Sequence, residues 1–207
     1  MKKGILTLTV ATLSSLMLLG CNSDSNNDTE TTDTTTGDTL ILTSNGMISS
    51  IDRAMPNKII SNLKVTGLQA GDELVGIDYR PKDSKLYAVG FMGNIYTLNP
   101  STGVATFVKK LIAEPTDTTD GNAAFSTILG DANLITVNFN PVADRLRVIT
   151  NTGQNLRINV DTGATITDGA INLAAGSATV VAGAYTNAFA GTSSTKLYSI
   201  DQNSDRV

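Results

Sequence analysis

Two stretches of this chain align without a gap sixty positions apart, and that internal copy restricts the fold more than any other feature. Gly76-Ile-Asp-Tyr-Arg-Pro81 matches Thr136-Val-Asn-Phe-Asn-Pro141, Lys85-Leu86-Tyr87 matches Arg145-Leu146-Arg147, and Gly93 matches Gly153. Asn99-Pro-Ser-Thr-Gly103 then matches Asn159-Val-Asp-Thr-Gly163. Each copy reads as strand, Pro/Asp turn, strand, Gly turn, strand, Asx-Thr-Gly turn, strand. Asn99 and Asn159 suit Asx turns, and Gly103 and Gly163 supply positive φ where the chain reverses. A degenerate earlier copy is Leu40–Gly46 followed by Ile48–Asp52, and a later one is Leu197–Asp201, which reads like Ile95–Asn99.

Four strands in a repeat of about 40–50 residues is the period of a propeller blade. The expectation is an all-β chain, a β-propeller-like array of four-stranded repeats, with a β-sandwich as the alternative. Strands are predicted near 74–79, 85–90, 94–98, 134–139, 145–150, 155–160, 179–185 and 196–200. The closing positions Asp52, Asn99, Asn159 and Asp201 stand 47, 60 and 42 residues apart, which places an insertion at Ala113–Asp131. About three and a half repeats fit before Val207, so the array is expected to be incomplete at its carboxy terminus, with an uncovered blade face and a free strand edge that favour self-association.

Phe139-Asn-Pro141, Asp144-Arg-Leu-Arg-Val148, Thr152-Gly-Gln-Asn-Leu-Arg157 and Ala184-Tyr-Thr-Asn187 together resemble the domain-of-unknown-function 4394 family, over about Leu40 to Val207. The resemblance implies an exported bacterial protein with propeller-like β repeats that continue past this end point. It carries no activity, catalytic residue or ligand.

Residues 1–20 read as a signal peptide: Met1-Lys2-Lys3 is a positive start, and the apolar run Ile5–Leu19 is too short for a spanning helix, which needs roughly 20 residues. Leu18-Leu19-Gly20-Cys21 resembles the lipobox of bacterial lipoproteins, which implies cleavage before Cys21 and lipid attached to it. Asn22 after the cysteine suggests sorting to the outer membrane. Residues 21–38 form an acidic tether with Asp24, Asp28, Glu30, Asp33 and Asp38 and no base; without apolar residues in Asn22–Asp38 it is expected to be disordered. The body, 39–207, carries 13 bases and 14 acids with no basic run, so nucleic acid is not expected as a partner.

Histidine and tryptophan are absent and Cys21 is the only cysteine, which excludes Ser-His-Asp and Cys-His nucleophiles, His-ligated zinc and disulfides. The most polar cluster on predicted strands is Arg145, Arg147, Asn155 and Arg157. Alternation puts Arg145 with Arg147, and Asn155 with Arg157, on one face each, where guanidinium forks suit an anion or carboxylate. The structural reading of the same residues is that Asp144 and the arginines pair across strands and hold the repeat together. Asp117, Asp120 and Asn122 offer oxygen ligands beside Gly121, but their spacing departs from a calcium loop and no bidentate Glu follows. A solvated loop is the reading, no cofactor is expected, and Ca²⁺ is the alternative. Asp78 and Asp83 read as structural aspartates, and Tyr79, Tyr87, Tyr96, Tyr185 and Tyr198 as core or cross-strand residues.

These features point to a lipid-anchored envelope protein, periplasmic or surface facing, with a non-enzymatic binding or scaffold role toward a protein or glycan. The alternative is a carboxylate- or calcium-dependent hydrolase or lactonase-like enzyme. An enzyme requires several carboxylates or amides converging on one pocket, and a binding module a broad mixed face.

Overall fold

The computed structural model describes residues 36–117, 122–169, 171 and 178–203. Among them the chain is all β, without a helix, and none of its four small sheets closes on itself. The first sheet orders β1 (Thr39–Leu42), β2 (Met47–Asp52) and β3 (Met55–Lys64). The second is an antiparallel meander of β4 (Leu74–Arg80), β5 (Lys85–Gly90), β6 (Asn94–Leu98) and β7 (Ala105–Lys110). After the two-residue β8 (Ile112–Ala113), the third meander runs β9 (Ile135–Asn140), β10 (Arg145–Thr150), β11 (Asn155–Ile158) and β12 (Ala164–Asp168), with β8 parallel to β12 at its edge. β13 (Val180–Tyr185) and β14 (Leu197–Asp201) form a hairpin.

The sixty-residue copy survives as backbone geometry. Ser84 and Asp144 both sit in the left-handed region, at φ 56 and 49. In both copies the Asn carboxamide accepts the N–H two residues on, Ser101 at 2.9 Å and Asp161 at 3.0 Å. Gly103 and Gly163 are at φ 73 and 81, and a Cβ on either would run into the backbone carbonyl that ends the last strand of the preceding sheet, Lys64 of β3 or Lys110 of β7. Two constraints therefore select glycine there, the dihedral and the close approach. Just past that carbonyl the chain pairs in parallel with the next sheet: Thr66 with Val104, and Ile112 with Ala164.

Both faces of the inner strands β5 and β6 are buried, which is why β5 reads as a near-continuous apolar run. One face sets Leu86, Ala88, Tyr96 and Leu98 against Ile48 and Val65 of the first sheet and its exit. The other sets Tyr87, Val89 and Ile95 against Val137, Phe139, Leu146, Val148, Leu156 and Ile158 of the third. The Tyr87 and Phe139 rings meet edge to face at 5.3 Å. Each large apolar side chain buried here contributes roughly 1.5–3 kcal/mol. Phe125 and Ile128 of the predicted insertion join this core, so it plugs the interface between the two sheets.

The remaining face of the third sheet is different. Only Ile149, Ala178 and Val180 are buried there, with Leu197 and Ile171 against them, and the rest mixes polar side chains with Ala164 and Ile166 of β12. The first strands of the last three sheets lie side by side: the Asp78 carboxylate accepts the Phe139 N–H at 2.7 Å, and sixty positions on Asn138 donates to the Gly183 carbonyl at 2.7 Å.

Two expectations change. Leu197–Asp201 was aligned with the third strand of a repeat, but β14 pairs directly with β13 as β5 does with β4, so it is a second strand. The resemblance misled because Leu-Tyr occurs in Lys85-Leu86-Tyr87 as well. The body also begins before Thr39: Gly37 N–H donates to Ser50 Oγ at 3.1 Å, and Asp38 accepts from Arg53 Nε at 2.9 Å.

Candidate functional site

Strand register brings three of the four polar candidates together. Arg147 stands directly across from Arg157, and Asn155 directly across from Asp168. Alternation on β10, β11 and β12 then puts all four side chains on the incompletely covered face. Arg147 Nη1 donates to Asn155 Oδ1 at 2.7 Å and to Asp168 Oδ2 at 2.5 Å, and Arg157 Nη2 donates to Asp168 Oδ1 at 2.7 Å. One carboxylate thus bridges two guanidinium groups. Arg147 Nε donates to the Tyr185 hydroxyl at 3.3 Å, which reaches in from β13, and Asn155 Nδ2 donates to the Gly169 carbonyl at 2.9 Å. Burial works against the Arg147 charge, but Tyr185 and Asp168 more than offset it and hold the guanidinium above its ordinary pKa.

Arg145 does not join them. Its Nη1 turns back onto the Asp144 and Ala143 carbonyls at 2.9 and 3.4 Å. The expected pairing of Asp144 with its neighbouring arginines also fails. Asp144 is taken by Arg80 from the second sheet, through Nε at 2.7 Å and Nη2 at 2.6 Å, with Lys82 at 3.1 Å. Arg80 also holds Asp161 through Nη1 and Nη2 at 2.8 and 2.9 Å. Its guanidinium, at 4% exposure, is therefore a clasp on two turns of the third sheet. The Arg80 charge pulls both carboxyls below their usual pKa, and both raise that of Arg80. Reading within one repeat hid this clasp, because its partners lie 64 and 81 residues away.

Asp78 is held by the backbone N–H groups of Phe139 and Tyr79, and burial nevertheless raises its pKa to about 6. Asp83 accepts from the Tyr87 hydroxyl at 3.0 Å and the Lys85 N–H at 3.1 Å. Both are engaged by neighbouring backbone N–H groups. Of the tyrosines, Tyr87 and Tyr96 are core residues; Tyr79 and Tyr198 are about half exposed and stand cross-strand from Leu86 and Ala184, and Tyr185 belongs to the arginine cluster. The Tyr96 hydroxyl donates to Asp72 at 2.7 Å, and burial with that carboxylate raises its pKa to about 12.

Asp117 of the insertion is buried, and its carboxylate accepts the Thr167 N–H at 2.9 Å, tying the insertion to β12. Asp120 and Cys21 lie outside the described residues, and Asn122 is the first described residue after 118–121. Among the described residues no three acids, cysteines or histidines gather as a metal site. The groove of about 290 Å³ along β4, β9 and β13 is lined by Gly76, Ile77, Ile135, Thr136, Val137 and Asn138 on its first two strands and by Val181, Ala182 and Gly183 on the third. A cavity of about 500 Å³ beside Tyr79 and Pro100 has Lys85 as its one charged lining residue. A cavity of about 390 Å³ is lined by Lys64, Asp72 and Glu73 among others, and the Arg147, Asn155, Arg157 and Asp168 cluster lies apart from it on the face of the third sheet.

No curated protein matches this sequence. The family model described as a domain of unknown function, DUF4394, matches residues 47–207, from β2 through every later strand. Over more than three quarters of its length, then, this chain belongs to the DUF4394 family.

Proposed function

We propose that this protein is an exported lipoprotein, cut before Cys21 and anchored in the outer membrane, whose propeller-like body binds a ligand without transforming it. The anchor rests on Leu18-Leu19-Gly20-Cys21 followed by an acidic, apolar-free stretch; two or more acyl chains hold a protein on a membrane where one does not. The propeller-like arrangement is supported by successive sheets stacked face on face with β4, β9 and β13 side by side. A binding role rests on one observation. Charged donors gather on the open face of the third sheet, while the groove along the first strands, where a propeller enzyme would place its carboxylates, has no charged lining residue.

The alternative, a carboxylate- or calcium-dependent hydrolase, draws its support from Asp78, a carboxyl with a pKa of about 6 on a first strand. Two experiments test the proposal. Cys21→Ser in the full-length chain should release the protein from the membrane fraction while leaving it folded; continued co-fractionation with labelled lipid refutes the anchor. Ester and lactone substrates should not be turned over, and chelator-sensitive turnover would replace binding by catalysis.

A further inference from the structure

We infer that the Arg147–Arg157 cluster is a binding site for a single carboxylate group, in which Asp168 occupies part of the donor set; this rests on reading that face as the binding surface. The donor count carries the argument. A guanidinium has five N–H donors and no acceptor. Among the described residues Arg157 uses one of its five, Nη2 to Asp168 at 2.7 Å, and its Nε is buried without a partner. Its side chain is 42% exposed, so the guanidinium is within reach of a ligand from solvent even though Nε is buried. At the other end the Tyr185 hydroxyl accepts from Arg147 Nε at 3.3 Å, and no acceptor for its own proton is found among the described residues.

The unfilled positions are therefore donors, arranged around two guanidinium groups whose charge is half neutralised by one carboxylate. Two arginines and Asp168 leave one net positive charge, which suits a monoanion better than a dianion. The planar fork of Arg157 matches a carboxylate in geometry. Asp168 shows that the cluster already accepts such a group, bridging Arg147 and Arg157 through one oxygen each.

The test uses the unlipidated full-length Cys21→Ser protein and acetate as probe, with chloride at matched ionic strength as control and phosphate at pH 8 as the dianion. The guanidinium Nε–H signals of Arg147 and Arg157 are followed by NMR. Acetate should shift Arg157 saturably in the millimolar range and phosphate should bind no more tightly. Arg157→Gln should weaken acetate roughly fivefold or more, a loss of about 1 kcal/mol, and Tyr185→Phe should weaken it by a smaller factor. Asp168→Asn is decisive because its sign is opposite: removing the internal carboxylate frees donors and adds a net positive charge, so acetate should bind more tightly. A purely structural cluster gives no saturable shift, or an Asp168→Asn protein that is folded and no tighter, and either result overturns the inference. If Asp168→Asn fails to fold, Arg157→Gln and Tyr185→Phe decide it. An envelope ligand whose binding survives Arg157→Gln would remove this site and leave the binding role intact.

Discussion

Replacing Arg80 with methionine tests how the second and third sheets are held together. Methionine keeps most of the aliphatic volume and removes the charge, leaving Asp144 and Asp161 facing the gap without their shared cation. Arg80 also reaches Asp83 at 3.4 Å, and its two closer partners contribute unequally. Asp161 is 56% exposed, so its bonds to Arg80 are screened and contribute at most about 1 kcal/mol. Asp144 is 25% exposed and grips a guanidinium that is 4% exposed, through two bonds of 2.7 and 2.6 Å. Removing one partner of a buried pair costs about 3–5 kcal/mol; partial exposure of the carboxylates and the second cation at Lys82 argue for the lower end, about 3 kcal/mol. For a body of this size each kcal/mol lowers Tm by roughly 2–4 °C, so Arg80→Met should melt roughly 6–12 °C lower. Thermal unfolding followed by circular dichroism at pH 7 measures this. A double-mutant cycle should give a coupling of about 1–3 kcal/mol for Arg80 with Asp144, and less for Arg80 with Asp161. An Arg80→Met protein melting within about 2 °C of the parent would refute the clasp, as would equal couplings to the two aspartates.

Asp78 should make the protein less stable as pH rises from about 4 to 6. Its folded pKa of about 6 lies above the ordinary 3.8, so the native state holds the proton more tightly and that stability is lost as pH rises through the folded value. The shift corresponds to at most about 3 kcal/mol, and urea unfolding at pH 4.5 and 7 should show a slope that Asp78→Asn removes; an unchanged slope discounts the burial argument. Ser84→Gly should stabilise by up to about 1 kcal/mol, because Ser84 sits at φ 56, whereas Asp144→Gly at the matching turn should destabilise through loss of Arg80. Tyr198 and Ile200 expose 50% and 46% of their surface on one face of β14, so light scattering of the full-length Cys21→Ser protein should show concentration-dependent association that Ile200→Lys reduces. A concentration-independent monomer would count against it.

Local chemistry was legible in the sequence wherever the determinant was local. Turn residues at matched positions, such as Asn99 and Asn159 or Gly103 and Gly163, specify the same hydrogen bonds and the same positive φ in both copies, because an Asx turn needs only its own few residues. Strand alternation likewise sufficed to put Asn155 with Arg157 on one face of β11, but the β10–β11 register was needed to bring Arg147 beside them. What alternation could not supply was the partner of each charge. Asp144 has arginines one and three residues away, yet it binds Arg80, 64 residues earlier in the chain, because at φ 49 Asp144 sits in a turn that faces the preceding sheet. Asp168 completes the arginine cluster from two strands away, through a register that the β11–β12 turn sets. Leu197–Asp201 shows the same limit: its residues suit a second or a third strand equally, and only pairing with β13 decided between them. Backbone conformation is set by short-range sterics and hydrogen bonds, whereas which side chains meet is set by how whole sheets stack.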